Sequence, residues 1–171
     1  MKKKIILSII ALIVAALCVL CIVFYVKQKK QQALIAQVPE IALQTPDGQT
    51  VNLAQITRGN VSVIFFFHPE CAFCGMEMKE ILAHKNELRD ANLVFITTAE
   101  GGELTKFLEE YPIDAMPNST VLIDHNRDFV ITYNVKSPPT CYIYDKNQKL
   151  QKTIRGTVPV DDISQIIRGL Q

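Results

Sequence analysis

The chain has 171 residues, 49% of them hydrophobic, and a formal net charge of +1, which is enough for one domain with a real core once an apolar N-terminal run is set aside. Acidic and basic residues are nearly balanced and form no long single-sign block. Nothing in that balance points to a nucleic-acid surface or a binder of acidic ligands, so the function has to be sought in particular sites.

Ile5 to Val26 is an uncharged, almost wholly apolar run preceded by Lys2, Lys3 and Lys4 and followed by Lys27, Gln28, Lys29 and Lys30. Its length approaches the ~20 residues that a helix needs to cross a bilayer. A cleavable signal peptide has an apolar core of about 7 to 15 residues and then small residues at its cleavage site. A lipoprotein signal needs a small residue before its cysteine, where Leu17 precedes Cys18 and Leu20 precedes Cys21. The run therefore reads as an uncleaved, single-pass anchor over residues 1–27. Lysines flank both ends, and the α-amino group tips the count toward an N-terminus inside and a domain outside the cytoplasmic membrane. Residues 28–38 read as a stalk, and the domain is expected over 39–171.

Ile41 to Leu43, the turn Thr45-Pro46-Asp47-Gly48 and Val51 to Leu53 predict a small hairpin, because Pro-Asp-Gly supplies turn geometry between apolar segments. Val61 to Phe67 is apolar, β-branched and aromatic apart from Ser62, the pattern of a strand buried on both faces. From Cys71 to about Leu88 the apolar residues keep helical spacing. Asn92 to Thr97 is a second buried strand, Glu103 to Glu110 a helix, and Thr120 to Ile123 a third strand closed by Asp124. Phe129 to Val135 fits a strand or a short helix equally. Cys141 to Tyr144 and Leu150 to Ile154 make a final hairpin around Asp145-Lys146-Asn147, and Asp161 to Leu170 a closing amphipathic helix. Alternating strands and helices that finish in a hairpin predict an α/β domain with a mixed sheet.

Of the five cysteines, Cys18 and Cys21 lie in the apolar run, and Cys71, Cys74 and Cys141 in the domain. Three are too few for a disulfide scaffold, and one Cys-x-x-Cys without a second pair or suitably spaced histidines does not complete a zinc site. No metal or organic cofactor is implied. A buried strand, a short loop and a Cys-x-x-Cys that opens a helix are instead the context of a redox dithiol. Two cysteines three apart share a helix face and can close a disulfide. Cys71, in the first turn, meets free backbone N–H groups and the positive helix end, which suits the attacking thiol; Cys74, one turn deeper, would resolve the mixed disulfide. Cys141 reads as core packing, and Cys18 and Cys21 as apolar filler in the anchor.

With Phe65-Phe66-Phe67-His68-Pro69-Glu70-Cys71-Ala72-Phe73-Cys74, Glu77, and Pro139-Thr140 before the strand Cys141 to Asp145, the sequence resembles the TlpA-like branch of the thioredoxin superfamily, the membrane-anchored periplasmic thiol-disulfide oxidoreductases. The resemblance spans Pro39 to Gln171. It implies a thioredoxin-like mixed sheet flanked by helices, protein disulfides or dithiols as substrates, and a membrane thiol electron donor as partner. It also implies that Pro139 is the cis-proline facing the dithiol, with Pro138 in the substrate-pairing position before it.

The sequence departs from that pattern in three places. Glu70 and Ala72-Phe73 replace the family's aromatic and proline-rich active-site loop, so the redox potential is not inherited, and Phe73 and Glu70 become candidate substrate contacts. Phe65 stands where thioredoxins carry a buried acid; Glu77, one helical turn beyond Cys74, is the candidate to move protons there. Pro138 has no N–H to offer a substrate. Two other readings are a thiol peroxidase, whose relatives carry threonine where His68 stands, and a redox-inert anchored binding module.

Overall fold

The computed structural model describes residues 2–171, which divide into two compact units, one ending at Leu34 and the other Ile35–Gln171. The first is one helix, α1 (Lys2–Leu34), about 50 Å long at 1.5 Å per residue. Within it Leu12–Leu34 is long and apolar enough to cross a membrane by length and composition, with Leu12, Val19 and Phe24 among its exposed side chains. The orientation argument from the α-amino group falls on Met1, outside the described residues.

The stretch expected as a stalk is divided between the two units. Residues 28–34 continue α1, whereas Ile35 and Val38 are buried in the second unit. The Ala36 carbonyl accepts the Leu150 N–H at 3.0 Å, and the Val38 N–H donates to Gln148 O at 3.1 Å. The Tyr144 hydroxyl donates to Ile35 O at 2.9 Å. Backbone groups paired in this way hold a segment to the sheet regardless of its own propensity.

The second unit is a mixed sheet of seven strands between two layers of helices. The strands are β1 (Ala42–Gln44), β2 (Thr50–Asn52), β3 (Ser62–Phe66), β4 (Asn92–Thr97), β5 (Ser119–Ile123), β6 (Thr140–Tyr144) and β7 (Leu150–Arg155). Their order across the sheet is β2-β1-β5-β4-β3-β6-β7. The three central strands β5, β4 and β3 are parallel, and β1, β2, β6 and β7 join antiparallel. The helices are α2 (Leu53–Ile56), α3 (Ala72–Ala83), α4 (Gly101–Glu110), α5 (Asp128–Tyr133) and α6 (Val160–Gly169).

Strand periodicity sorts β3 between two cores. Val63, Phe65 and Phe67 enter the core beneath α3, α4 and α6, while Ile64 and Phe66 enter the core with Phe129 and Tyr133 of α5. Phe65 pairs with Phe95 of β4 and Cys141 of β6 in register, and its ring stacks on Phe95 at 5.2 Å. Each such buried ring contributes about 1.5–3 kcal/mol by area.

Three local differences from the sequence reading have physical causes. Leu53, expected to end a strand, opens α2, because the Asn52 side chain caps the Ala54 N–H at 3.0 Å. The dithiol helix stops at Ala83 and continues through His84 into a 3₁₀ turn at Lys85–Glu87. Phe129 to Val135 resolves as a short helix: the buried Asp124 carboxylate accepts the N–H groups of Phe129 and Val130, and Asn134 closes the other end in the left-handed region at φ 50°.

Candidate active site

The last ladder bond of the β3 segment runs from the Phe67 N–H to Ile96 O at 2.9 Å. The chain then turns through His68, Pro69 and Glu70, and the Cys71 N–H closes the turn on His68 O at 3.0 Å. Cys71 is the N-cap of α3, in extended backbone at φ −86° and ψ 106°, and its carbonyl accepts the N–H groups of Cys74 and Gly75. A buried strand therefore delivers the first cysteine to the mouth of a helix, where backbone donors are unpaired.

Neither sulfur is joined in a disulfide in this structure. Cys71 is half-buried, and its Sγ stands 3.8 Å from Pro138 O. Cys74 is 0% exposed. Burial pushes its thiol well above the ordinary range, and the hydrogen bond with Cys71 adds to the rise. The pair is thus asymmetric, with one sulfur reachable and one sealed beneath it.

Glu77 lies one turn beyond Cys74 and is 3% exposed. Neither carboxylate oxygen has a hydrogen-bond partner. Burial pushes its carboxyl up to about 7; the Val158 backbone opposes that rise electrostatically without the geometry of a hydrogen bond. Its charge also raises both Cys74 and the buried Cys141, so one acid sits against two thiols in the same core. Glu77 is among the residues lining a cleft of about 370 Å³ between α3 and the Thr157–Asp161 segment, with Met76, Val158 and Pro159.

Pro138 and Pro139 precede β6, the peptide between them is cis, and Pro139 O accepts the Gly156 N–H at 2.9 Å. Cys71, Cys74, Glu77 and Pro138 therefore meet at one place. Phe73 is 61% exposed, and Glu70 is exposed on the other side of Cys71, with His68 and Glu103 as its neighbours. Phe65, at the position of the missing acid, is buried and apolar. Sequence reasoning overlooked Met76, 53% exposed and three residues after Phe73; that spacing puts both on one helix face, and it was legible as an apolar pair. Cys18 and Cys21 are exposed on α1.

The profile of the AhpC/TSA family matches residues 35–153. The chain belongs to the AhpC/TSA family. Its match begins at Ile35, where the structure also places the start of the second unit. The thiol-disulfide oxidoreductase ResA of Geobacillus thermodenitrificans (strain NG80-2) is 26% identical over 170 residues, covering 95% of this chain and 92% of that protein. The exposed lipoprotein thioredoxin Etrx1 of Streptococcus pneumoniae superposes with a TM-score of 0.61 at 26% identity, over 77% of this chain and 99% of that one. A secreted disulfide oxidoreductase of Mycobacterium tuberculosis superposes at 0.65 with 21% identity, over 77% and 96%, and shares the fold. This AhpC/TSA chain thus has the thioredoxin-like mixed sheet flanked by helices.

Proposed function

We propose that the protein is an extracytoplasmic thiol-disulfide oxidoreductase that reduces or exchanges protein disulfides through Cys71 and Cys74. The asymmetry of the two sulfurs carries this reading: Cys71 is half-buried at a helix N-terminus, and Cys74 is fully buried one turn below. The Cys71 thiolate attacks one sulfur of a substrate disulfide, forming a mixed disulfide and expelling the first substrate thiolate, which takes a proton. Cys74 then loses its proton and attacks Cys71 Sγ, closing the Cys71–Cys74 disulfide and expelling the second. Two electrons pass to the substrate, and a membrane thiol donor restores the dithiol. Glu77 accepts the Cys74 proton, because it is the buried acid beside that thiol.

The test is reduction of insulin disulfides by the purified full-length protein with dithiothreitol as electron source. Steady reduction is expected, with no consumption of hydrogen peroxide beyond that of dithiothreitol alone. Rapid peroxide consumption with inert insulin would favour the peroxidase reading, and inertness toward both would favour a binding module.

Anchoring is supported by Leu12–Leu34, apolar and long enough to span, and by residue Ile35 onward forming a separate unit. Protease added outside spheroplasts should remove the domain; a fully protected domain would reverse the orientation.

Substrate capture rests on side chains more than on main chain. In a short added strand each residue can pair through N–H and C=O, and Pro138 offers only its carbonyl, which faces Cys71 Sγ. The missing bond is worth about 0.5–1.5 kcal/mol net, leaving Phe73 and Glu70 to select among substrates. Pro138→Thr, assayed on several unrelated disulfide peptides, should gain up to ~10-fold in kcat/KM on most of them. A variant with unchanged kcat/KM on every peptide would remove Pro138 from substrate capture.

A further inference from the structure

His68, Glu70 and Glu103 bring an imidazole nitrogen and two carboxylate oxygens within 4.8 Å of one another. They come from two separate parts of the fold, the β3–α3 loop that carries Cys71 and the first turn of α4. His68 Nδ1 accepts the Glu70 N–H at 3.3 Å and lies 3.8 Å from Glu103 Oε1. A ring nitrogen that accepts carries its lone pair, which is the state in which imidazole binds a metal.

That arrangement is electrostatically incomplete. Among the described residues no Lys or Arg pairs with Glu70 or Glu103, so two carboxylates and a lone pair converge without a cation between them. A proton on Nδ1 can serve one of the two acids. A divalent cation serves all three donors at once and replaces the long Glu70 N–H contact.

We propose that His68, Glu70 and Glu103 form a binding site for a divalent transition-metal cation of the zinc class. One imidazole with two carboxylates suits such an ion, whereas magnesium prefers an octahedral shell of oxygens. Zinc holds nitrogen and carboxylate oxygen at about 2.0–2.2 Å, so tetrahedral ligands stand roughly 3.3–3.6 Å apart. The three atoms lie within 4.8 Å and the His68–Glu103 pair already at 3.8 Å, on side chains that solvent reaches, His68 32% and Glu103 43% exposed. Three protein ligands leave a fourth position open to water. Because the His68 carbonyl holds the Cys71 N–H, the bound ion would place its charge on the loop of the nucleophile and tie that loop to α4.

The experiment uses the full chain in detergent micelles with Cys71 and Cys74 oxidised to the disulfide, so that neither sulfur can bind metal as a thiolate. Zinc chloride and, separately, magnesium chloride are titrated by calorimetry. One zinc per chain and no magnesium binding are expected. His68→Ala and the isosteric Glu103→Gln should each weaken zinc by at least ~10-fold, since even the loss of an outer-shell partner weakens metal sites 10- to 100-fold. His125→Ala, which removes the imidazole paired with Glu100, should leave the affinity unchanged. The proposal is overturned by the absence of zinc binding, by an affinity that both His68→Ala and Glu103→Gln retain, or by a loss confined to His125→Ala. Because the disulfide form is used, these outcomes do not depend on whether the dithiol is catalytic.

Discussion

Cys74→Ser should turn the protein from a catalyst into a trap. With Cys71 reachable and Cys74 0% exposed, the first exchange survives the substitution, and the step that releases product does not. Substrate then accumulates as a mixed disulfide on Cys71, visible as a reductant-sensitive band on a non-reducing gel, while turnover falls to the uncatalysed background. Cys71→Ser should abolish both turnover and the band, because the sulfur that remains is sealed and its thiol is held well above the ordinary range by burial. The same asymmetry predicts that brief alkylation of the reduced wild type modifies Cys71 first. Cys141→Ala controls for the third thiol: it is buried beside Phe65 on the neighbouring strand and should still turn over substrate. A mixed disulfide formed by Cys71→Ser and not by Cys74→Ser would reverse the two roles.

The parts of this arrangement that depend on neighbours in sequence were legible, and the parts that depend on distant neighbours were not. Val61 to Phe67 announces a doubly buried strand because both of its faces must be apolar, and the Cys-x-x-Cys spacing fixes one helix face whatever surrounds it. Phe129 to Val135 remained ambiguous because its apolar run is short; a carboxylate outside the run, Asp124, supplies the caps that make it helical. Ile35 to Val38 carries no local strand signal, since its hydrogen-bond partners are Tyr144, Gln148 and Leu150, more than a hundred residues later. At the site, Glu77 could be assigned to the helix face of Cys74 from spacing alone. Its burial could not, because the cover is Val158 to Val160, on the segment leading into α6. The approach of Pro138 O to Cys71 is equally non-local, joining the loop ahead of β6 to the N-cap of α3, which precede and follow strands that only the sheet brings together.

Glu77→Gln should stabilise the protein at alkaline pH and slow it above about pH 7, where the wild-type carboxyl is ionised and can accept a proton. Burial without a hydrogen-bond partner raises the carboxyl from 4.5 to about 7 in the folded state. Below pH 4.5 folded and unfolded chains both hold the proton, and the acid is neutral in stability. Between 4.5 and about 7 the folded chain holds a proton that the unfolded chain has released, so stability falls as pH rises. Above about 8 the folded protein carries a buried, unpartnered carboxylate at a cost of about 3 kcal/mol, taking 1.36 kcal/mol for each tenfold displacement. Glutamine has no charge to bury. In urea unfolding of the full chain in micelles, the variant should match wild type at pH 4 and exceed it by up to ~3 kcal/mol at pH 8.5. Activity should move the opposite way. The ionised Glu77 carboxylate, beside Cys74 in the same core, can take that thiol's proton, and such proton transfer typically contributes about 10²–10⁴-fold. Above about pH 7 the variant should therefore reduce disulfides at least ~10²-fold more slowly than wild type, and it should lose the inflection near pH 7 in its kcat/KM profile. A purely structural role for Glu77 would leave that profile's shape intact, so an unchanged inflection in a folded Gln variant would remove Glu77 from the mechanism. A flat stability difference between pH 4 and 8.5 would contradict the buried, unpaired carboxylate itself.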